Sequence, residues 1–167
     1  VQATLRSVRA HSPGVQNVLD LGGASVSAIR LDARGDLVGL TRNSLCAAGT
    51  GAFLDEQAER LGLSQEVLDQ FDGVDDPPSV ASRCAVFAKS DLIHRQQEGH
   101  TREEMWTGLC RGMTSMFFST LLKGRVPDGE TVVVGGVSRN RIVLRELRAL
   151  LGPSIRTFAT AHLAAAE

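Results

Sequence analysis

Residues 18–40, VLDLGGASVSAIRLDARGDLVGL, form the stretch of sequence that decides the fold. One apolar run ends at Gly22 and Gly23, a second ends at the turn 32–36, and a third follows at once. Short apolar runs joined by tight turns predict antiparallel strands arranged as a meander. Further along, TVVVGG at 131–136 is another apolar run that ends in paired glycines, and its composition favours a buried strand.

Helical periodicity surrounds these strands. Thr101 and Glu104 have the spacing of a capping box and open a long helix, and Ser138 or Asn140 is expected to begin a later one. The remaining predicted elements are a helix ended by Pro13-Gly14, helices over 47–63, after Ser64 and from 84, and a last strand at SIRTFA (154–159). This order predicts an α/β fold with a mixed sheet and flanking helices.

Composition narrows the classes of function. The 167 residues carry 18 Lys and Arg against 19 Asp and Glu, a net charge of −1. This balance gives no basic footprint, so we expect no nucleic-acid partner. No apolar run reaches the roughly 20 residues that cross a bilayer, so we expect no membrane association. Three cysteines form an odd and sparse set, typical of reduced thiols, and we expect a cytoplasmic protein.

The two glycine pairs are the first candidates for a binding site. Glycine lets backbone N–H groups approach a ligand without a Cβ in the way. Either pair alone commonly does no more than turn the chain, but both together favour a nucleotide cleft. We also expect any larger residue at Gly136 to enter that cleft and to strain the turn. The sequence contains no P-loop lysine motif and no G-x-G-x-x-G, so P-loop and Rossmann sites are excluded.

Two of the three cysteines stand at predicted helix starts. Cys46 precedes the helix AAGTGAFLDEQ, and Cys84 opens the helix CAVFAKSDLI. A helix N-terminus stabilises a thiolate, which makes both residues candidate metal or cluster ligands. Their separation matches no metal-binding spacing, and an inert buried cysteine is the commoner outcome for such a residue. Cys110 lies inside the long amphipathic helix, and we interpret it as a core residue.

Three segments carry a resemblance to a known family. NSLCAAGTGAFLDEQAERL (43–61), CAVFAKSDLI (84–93) and VVVGGVSRN (132–140) occur in this order. They resemble segments of the 2-hydroxyacyl-CoA dehydratase activators and of the ATPase subunits of benzoyl-CoA reductase, the BadF/BadG/BcrA/BcrD family. The family belongs to the acetate and sugar kinase, heat-shock chaperone and actin superfamily.

The resemblance implies a ribonuclease H-like, actin-like ATPase domain, the C-terminal half of a two-domain ATPase. Residues 1–14 would end a linker helix from a first domain, and 15–167 would form the ATPase domain. Family members bind ATP with Mg²⁺ and share one [4Fe-4S] cluster across a homodimer. They take an electron from a ferredoxin or flavodoxin donor and pass it at low potential to an iron–sulfur dehydratase or reductase.

The resemblance also assigns the site residues. Cys46 and Cys84 would hold the cluster. The other implied cofactor-binding residues are Asp20, Gly22 and Gly23 in the second phosphate loop, Gly135, Gly136 and Asn140 on the adenosine side, and Gly49, Thr50 and Gly51 between cluster and nucleotide.

One departure leaves hydrolysis open, and no catalytic residue is assigned. Where the family reads D-I-G-G-Q-D-x-K, this chain reads DLGGASVS, with Ala24, Ser25 and Ser27 in place of the amide, the carboxylate and the lysine. A non-hydrolysing nucleotide- or cluster-binding regulatory module is the alternative interpretation. A small-molecule kinase is a further one, which gives the two cysteines no task.

Overall fold

The structure, a computed structural model, describes residues 1–42, 50–82 and 84–166. The strands are β1 (Asn17–Leu21), β2 (Val26–Leu31), β3 (Leu37–Arg42), β4 (Thr131–Val134) and β5 (Ile155–Arg156). The helices are α1 (Gln2–His11), α2 (Gly51–Leu61), α3 (Gln65–Gln70), α4 (Ala85–Gln97), α5 (Arg102–Thr120) and α6 (Arg141–Leu151). Short 3₁₀ turns lie at Gly136–Arg139 and Ala161–Leu163.

The five strands form one mixed sheet in the order β3-β2-β1-β4-β5. β1, β2 and β3 pair antiparallel, as the meander pattern predicts. β4 lies parallel to β1 on its other side, and β5 lies parallel to β4. Parallel neighbours require a long crossover, which α2 to α5 supply between β1 and β4. The predicted α/β class, the mixed sheet and the last strand are confirmed.

Helices cover both faces of the sheet. Leu19, Leu21 and Val133 face a large core built mainly from α2, α5 and α6. Val18 and Val132 face a smaller core that α1 and the turn Ala161–Leu163 close. The alternation of neighbouring residues between two cores explains why these strands read as continuous apolar runs.

The predicted helix starts agree with the structure. Thr101 and Glu104 form a reciprocal capping box at α5, the Ser64 hydroxyl accepts from the Val67 N–H at α3, and Asn140 caps α6. The first predicted residues of α2, 47–49, lie outside the described part of the chain. None of the described helices is both long and apolar enough to cross a membrane.

Candidate functional site

The two glycine pairs lie side by side at one edge of the sheet. β1 and β4 run parallel with Asp20 opposite Val134, so each pair follows the carboxyl end of one of two neighbouring strands. In open α/β sheets, ligands bind in the crevice outside such strand ends. The fold thus brings together the two loops that we predicted to share one cleft.

Gly135 and Gly136 have different conformational requirements. Gly135 has φ +88° and ψ 168°, and a Cβ there would collide with the carbonyl oxygen of Leu21, so only glycine fits. Gly136 has no positive φ, and a Cβ there would meet nothing within 4 Å. The strain expected at Gly136 is therefore wrong. It falls on Gly135, whereas Gly136 borders open space.

The loop after β1 is docked on the start of α2. The N–H groups of Gly51 and Ala52 donate to the carbonyl oxygens of Gly22 and Gly23, each at 3.0 Å. A Cβ at Gly51 would lie 3.2 Å from the Cα of Gly23, so the two backbones are nearly in contact. Thr50, the buried N-cap residue, precedes this junction. A displacement of the glycine loop would therefore move the first turn of α2.

A cavity of about 260 Å³ lies where these elements meet. Its lining includes Gly23, Gly51, Trp106, Gly136, Asn140 and His162. Ligand pockets typically measure about 300–1,000 Å³, so this cavity suits one part of a nucleotide rather than the whole molecule. Gly49, also predicted here, lies outside the described residues.

Asp20 lies near the end of β1, outside the cavity lining, whose carboxyl groups are those of Asp55 and Asp69. The Thr4 hydroxyl on α1 donates to Asp20 Oδ2 at 3.3 Å. Burial raises the pKa of Asp20, and the Thr4 hydrogen bond and the positive charge of Arg42 partly offset this. A divalent cation in the cleft would favour the ionised carboxylate.

The oxygen and the nitrogen of the Asn140 side-chain amide both make hydrogen bonds within the protein. Its Oδ1 accepts from the Val143 N–H at 3.0 Å as the cap of α6, and its Nδ2 donates to the Cys110 Sγ at 3.4 Å. Asn140 borders the cavity, but this amide is already committed to the helix cap and to the thiol. Burial raises the pKa of Cys110 to about 12, which keeps it a thiol. The interpretation of Cys110 as a core residue is confirmed.

Cys84 lies at the N-terminus of α4. It is the half-buried N-cap residue, and within the described part of the chain it forms no disulfide and its side chain makes no capping hydrogen bond. Val86 and Phe87 in the first turn of α4 are 70% and 65% exposed. Cys46, the other predicted ligand, lies outside the described residues. Among the residues that are described, no three His, Cys, Asp or Glu side chains form a metal-binding group.

Thr4 is a site residue that we did not predict from the sequence. It is 1% exposed, and it lies next to Leu5 and one turn before Val8, the two apolar residues that face the smaller core. A polar residue on the apolar stripe of a helix was the signal that could have found it.

A second cavity, of about 870 Å³, lies around the amino end of β1. It contains none of the predicted site residues. The smaller cavity is the candidate site because it adjoins both glycine pairs. The larger cavity has the greater volume but adjoins neither pair.

Known proteins of one family resemble this chain. Residues 4–164 match the model of the BadF/BadG/BcrA/BcrD ATPase family. The (R)-2-hydroxyglutaryl-CoA dehydratase activating ATPase of Acidaminococcus fermentans is 34% identical over 148 residues, which cover 87% of this chain and 55% of that protein. One of the benzoyl-CoA reductase subunits of Thauera aromatica is 31% identical over 137 residues, 81% of this chain and 49% of that protein.

A solved structure shares the fold. The activator of the 2-hydroxyisocaproyl-CoA dehydratase from Clostridium difficile, with bound ADPNP, superposes with a TM-score of 0.89 at 28% identity. The match covers 98% of this chain and 61% of that protein. This chain therefore spans about half to three fifths of the length of these relatives.

Proposed function

The chain belongs to the BadF/BadG/BcrA/BcrD ATPase family and has its actin-like, ribonuclease H-like fold, and from this premise we propose that it forms part of an ATP-dependent iron–sulfur activator. The activator would pass a low-potential electron to a 2-hydroxyacyl-CoA dehydratase or a benzoyl-CoA reductase-type partner. The names of the relatives support both kinds of partner. Residues 15–167 would form the ATPase domain, and residues 1–14 would end a linker helix from a first domain.

The cavity beside the glycine pairs is the proposed nucleotide site. Gly135 and Gly136 would admit the adenosine end, since Gly136 borders open space. Gly22 and Gly23 would present backbone to the phosphates, and Asp20 would orient the accompanying Mg²⁺. The related structure contains bound ADPNP, which supports an adenine nucleotide as the ligand.

Among the described residues, Cys84 is suited to be one protein ligand of a [4Fe-4S] cluster. The Cys84 side chain lies at a helix start, where the helix dipole and free N–H groups favour an anionic cluster. The exposed Val86 and Phe87 would exclude water beside it. Cys46 would supply the second thiolate. A bound cluster would supply the one-electron carrier that no side chain provides.

A homodimer completes the proposed set of ligands. A [4Fe-4S] cluster is held by four thiolates, and Cys110 is too deeply buried to be one of them. Two copies of Cys46 and Cys84 about a two-fold axis give four. We place this assembly in the cytoplasm, with a ferredoxin or flavodoxin as the electron donor.

The docking of α2 on the Gly22–Gly23 loop is the observation that carries the proposal. Gly51 donates directly to that loop, and it follows Cys46 by five residues. A change at the phosphates would thus reach the first turn of α2, which follows Cys46 in the sequence, through backbone hydrogen bonds. Nucleotide affinity and cluster occupancy should then depend on each other.

Calorimetric titration of the full-length protein with Mg·ADPNP tests this coupling. We expect the affinity of the cluster-loaded protein to differ from that of the cluster-free protein by at least about fivefold, the lower end of typical coupling energies. Cys110→Ser is the matched control and should show the same difference. Equal affinities in the two forms would contradict the proposal.

A non-hydrolysing module of the same fold is the second candidate function. The Ala24 and Ser25 side chains are exposed, and Ser27 pairs with Asp20 across β1 and β2. None of these three residues carries the carboxylate or the lysine that is usual in the family. Phosphate release by the loaded full-length protein separates the candidates. Turnover supports the activator, and nucleotide binding without turnover supports the regulatory module.

A further inference from the structure

A segment ahead of Cys84 lies flat against α5. We call residues 74–82 the strap. The Val74 N–H donates to the Thr107 hydroxyl at 3.2 Å, and Arg111 donates to the carbonyl oxygen of Asp75 at 3.1 Å. These two contacts fix the first residues of the strap to α5.

Two glycines of α5 allow the middle of the strap to approach closely. A Cβ at Gly108 would collide with the carbonyl oxygen of Pro78, and one at Gly112 would lie 2.5 Å from that of Val80. Gly108 and Gly112 are one turn apart, so they share one face of the helix. Val80 is 4% exposed and belongs to the main core. The strap is therefore seated directly on the backbone of α5.

The end of the strap is tied to α4 as well. The Ala81 N–H donates to Asp91 Oδ2 at 2.8 Å, and Arg95 Nε donates to the carbonyl oxygen of Ser79 at 3.1 Å. Asp91 and Arg95 are one turn apart on the helix that Cys84 begins. Each of these two hydrogen bonds has a charged side chain as one partner and is stronger than a bond between neutral groups, and the bond to Asp91 is the shorter of the two.

We infer that Asp91 is a positioning residue for Cys84: it ties α4 to a strap that α5 holds in place, and so sets where the Cys84 thiol stands relative to the core. The inference rests on the proposed function, because only a ligand thiol needs a fixed position. Asp91 touches no nucleotide-site residue described above. Its loss should leave nucleotide binding intact and loosen the metal site.

Iron retention in the cluster-loaded full-length protein tests the inference. Three variants are compared with wild type: Asp91→Ala, which removes the acceptor; Asp91→Asn, whose amide oxygen still accepts; and Glu59→Ala, which removes an exposed carboxylate from α2. The readouts are the rate of iron loss to a ferrous chelator without nucleotide, the affinity for Mg·ADPNP and the melting temperature.

We expect Asp91→Ala to lose iron at least about tenfold faster than wild type, a change equivalent to about 1.4 kcal/mol. Asp91→Asn should lose iron at close to the wild-type rate, and Glu59→Ala should lose it at the wild-type rate. The affinity for Mg·ADPNP should be equal in all four proteins. If Asp91→Ala does not fold, Arg95→Ala decides by the same comparison, since it releases Ser79 from the other tie.

Two failures can be told apart. Wild-type protein that takes up no iron on anaerobic reconstitution overturns the proposed function and this inference with it. Wild-type protein that loads iron, together with an Asp91→Ala variant that keeps it equally long, overturns the inference alone. A fall in melting temperature at an unchanged rate of iron loss would likewise reduce Asp91 to a purely structural role.

Discussion

Replacing Gly136 by valine should weaken nucleotide binding while leaving the fold intact. A Cβ at this position meets no atom within 4 Å, and the residue lines the cavity of about 260 Å³ assigned to the nucleotide. The valine side chain would fill space that the ligand needs. If it displaces about five ligand atoms at roughly 0.3 kcal/mol each, binding loses about 1.5 kcal/mol, or about tenfold in affinity.

Gly135→Ala is the matched comparison. Its φ of +88° and the collision of a Cβ with the carbonyl oxygen of Leu21 predict a loss of about 3 kcal/mol in the free energy of unfolding. For the 167 residues alone that corresponds to roughly 6–12 °C in melting temperature, and the shift is smaller in a longer protein. Gly136→Val, by contrast, should change the melting temperature little.

Calorimetric titration with Mg·ATP beside a melting curve, both on the full-length protein, separates the two effects. The expected pattern is lower affinity with a near wild-type melting temperature for Gly136→Val, and a lower melting temperature for Gly135→Ala. Cluster content should be equal in wild type and Gly136→Val. A Gly136→Val variant that melts early but binds the nucleotide normally would refute the assignment of Gly136 to the cleft.

Further predictions concern single residues and the isolated chain. Because burial raises the pKa of Asp20 above its ordinary value of 3.8, the fold loses stability as the pH rises through the raised pKa. Asp20→Asn should therefore gain in melting temperature relative to wild type between acidic and neutral pH while losing Mg²⁺-dependent nucleotide binding, and a constant difference across that range would contradict this. Thr101→Ala removes the capping box of α5 and should cost about 1 kcal/mol in urea unfolding, where Arg125→Ala serves as a control. In native metal-free protein, an alkylating reagent followed by mass spectrometry should modify Cys84 and spare Cys110, whose pKa is about 12. The 167 residues alone should bind ATP weakly and release no phosphate, and measurable turnover would show that the phosphate site is misplaced.

Local patterns were sufficient for most of the fold. The caps at Ser64, Thr101 and Asn140 depend on residues within one turn of each helix start, so the sequence alone predicts them. The strand runs and their glycine ends are equally local. The meeting of the two glycine pairs at one sheet edge depends on parallel pairing of β1 with β4, a distant contact that the family resemblance implied and composition does not.

Features that depend on close non-local approach were not predicted. The conformational demand at Gly135 arises from Leu21 on a neighbouring strand, and nothing in VVVGGVSRN distinguishes it from Gly136. In the sequence, Gly108 and Gly112 indicate only low helix propensity. The structure shows that the strap packs against both of them. Thr4 and Asp20 are 16 residues apart, and their hydrogen bond requires α1 to fold back across the sheet.

Iron and sulfide analysis of anaerobically purified full-length protein, with its visible spectrum, is the decisive experiment for the proposed cluster. We predict brown protein with about four irons for each pair of chains, since four thiolates hold one [4Fe-4S] cluster. Cys46→Ser and Cys84→Ser should each lose the colour, and Cys110→Ser should keep it. Colour and iron that survive the loss of Cys46 or of Cys84 would contradict the proposed function.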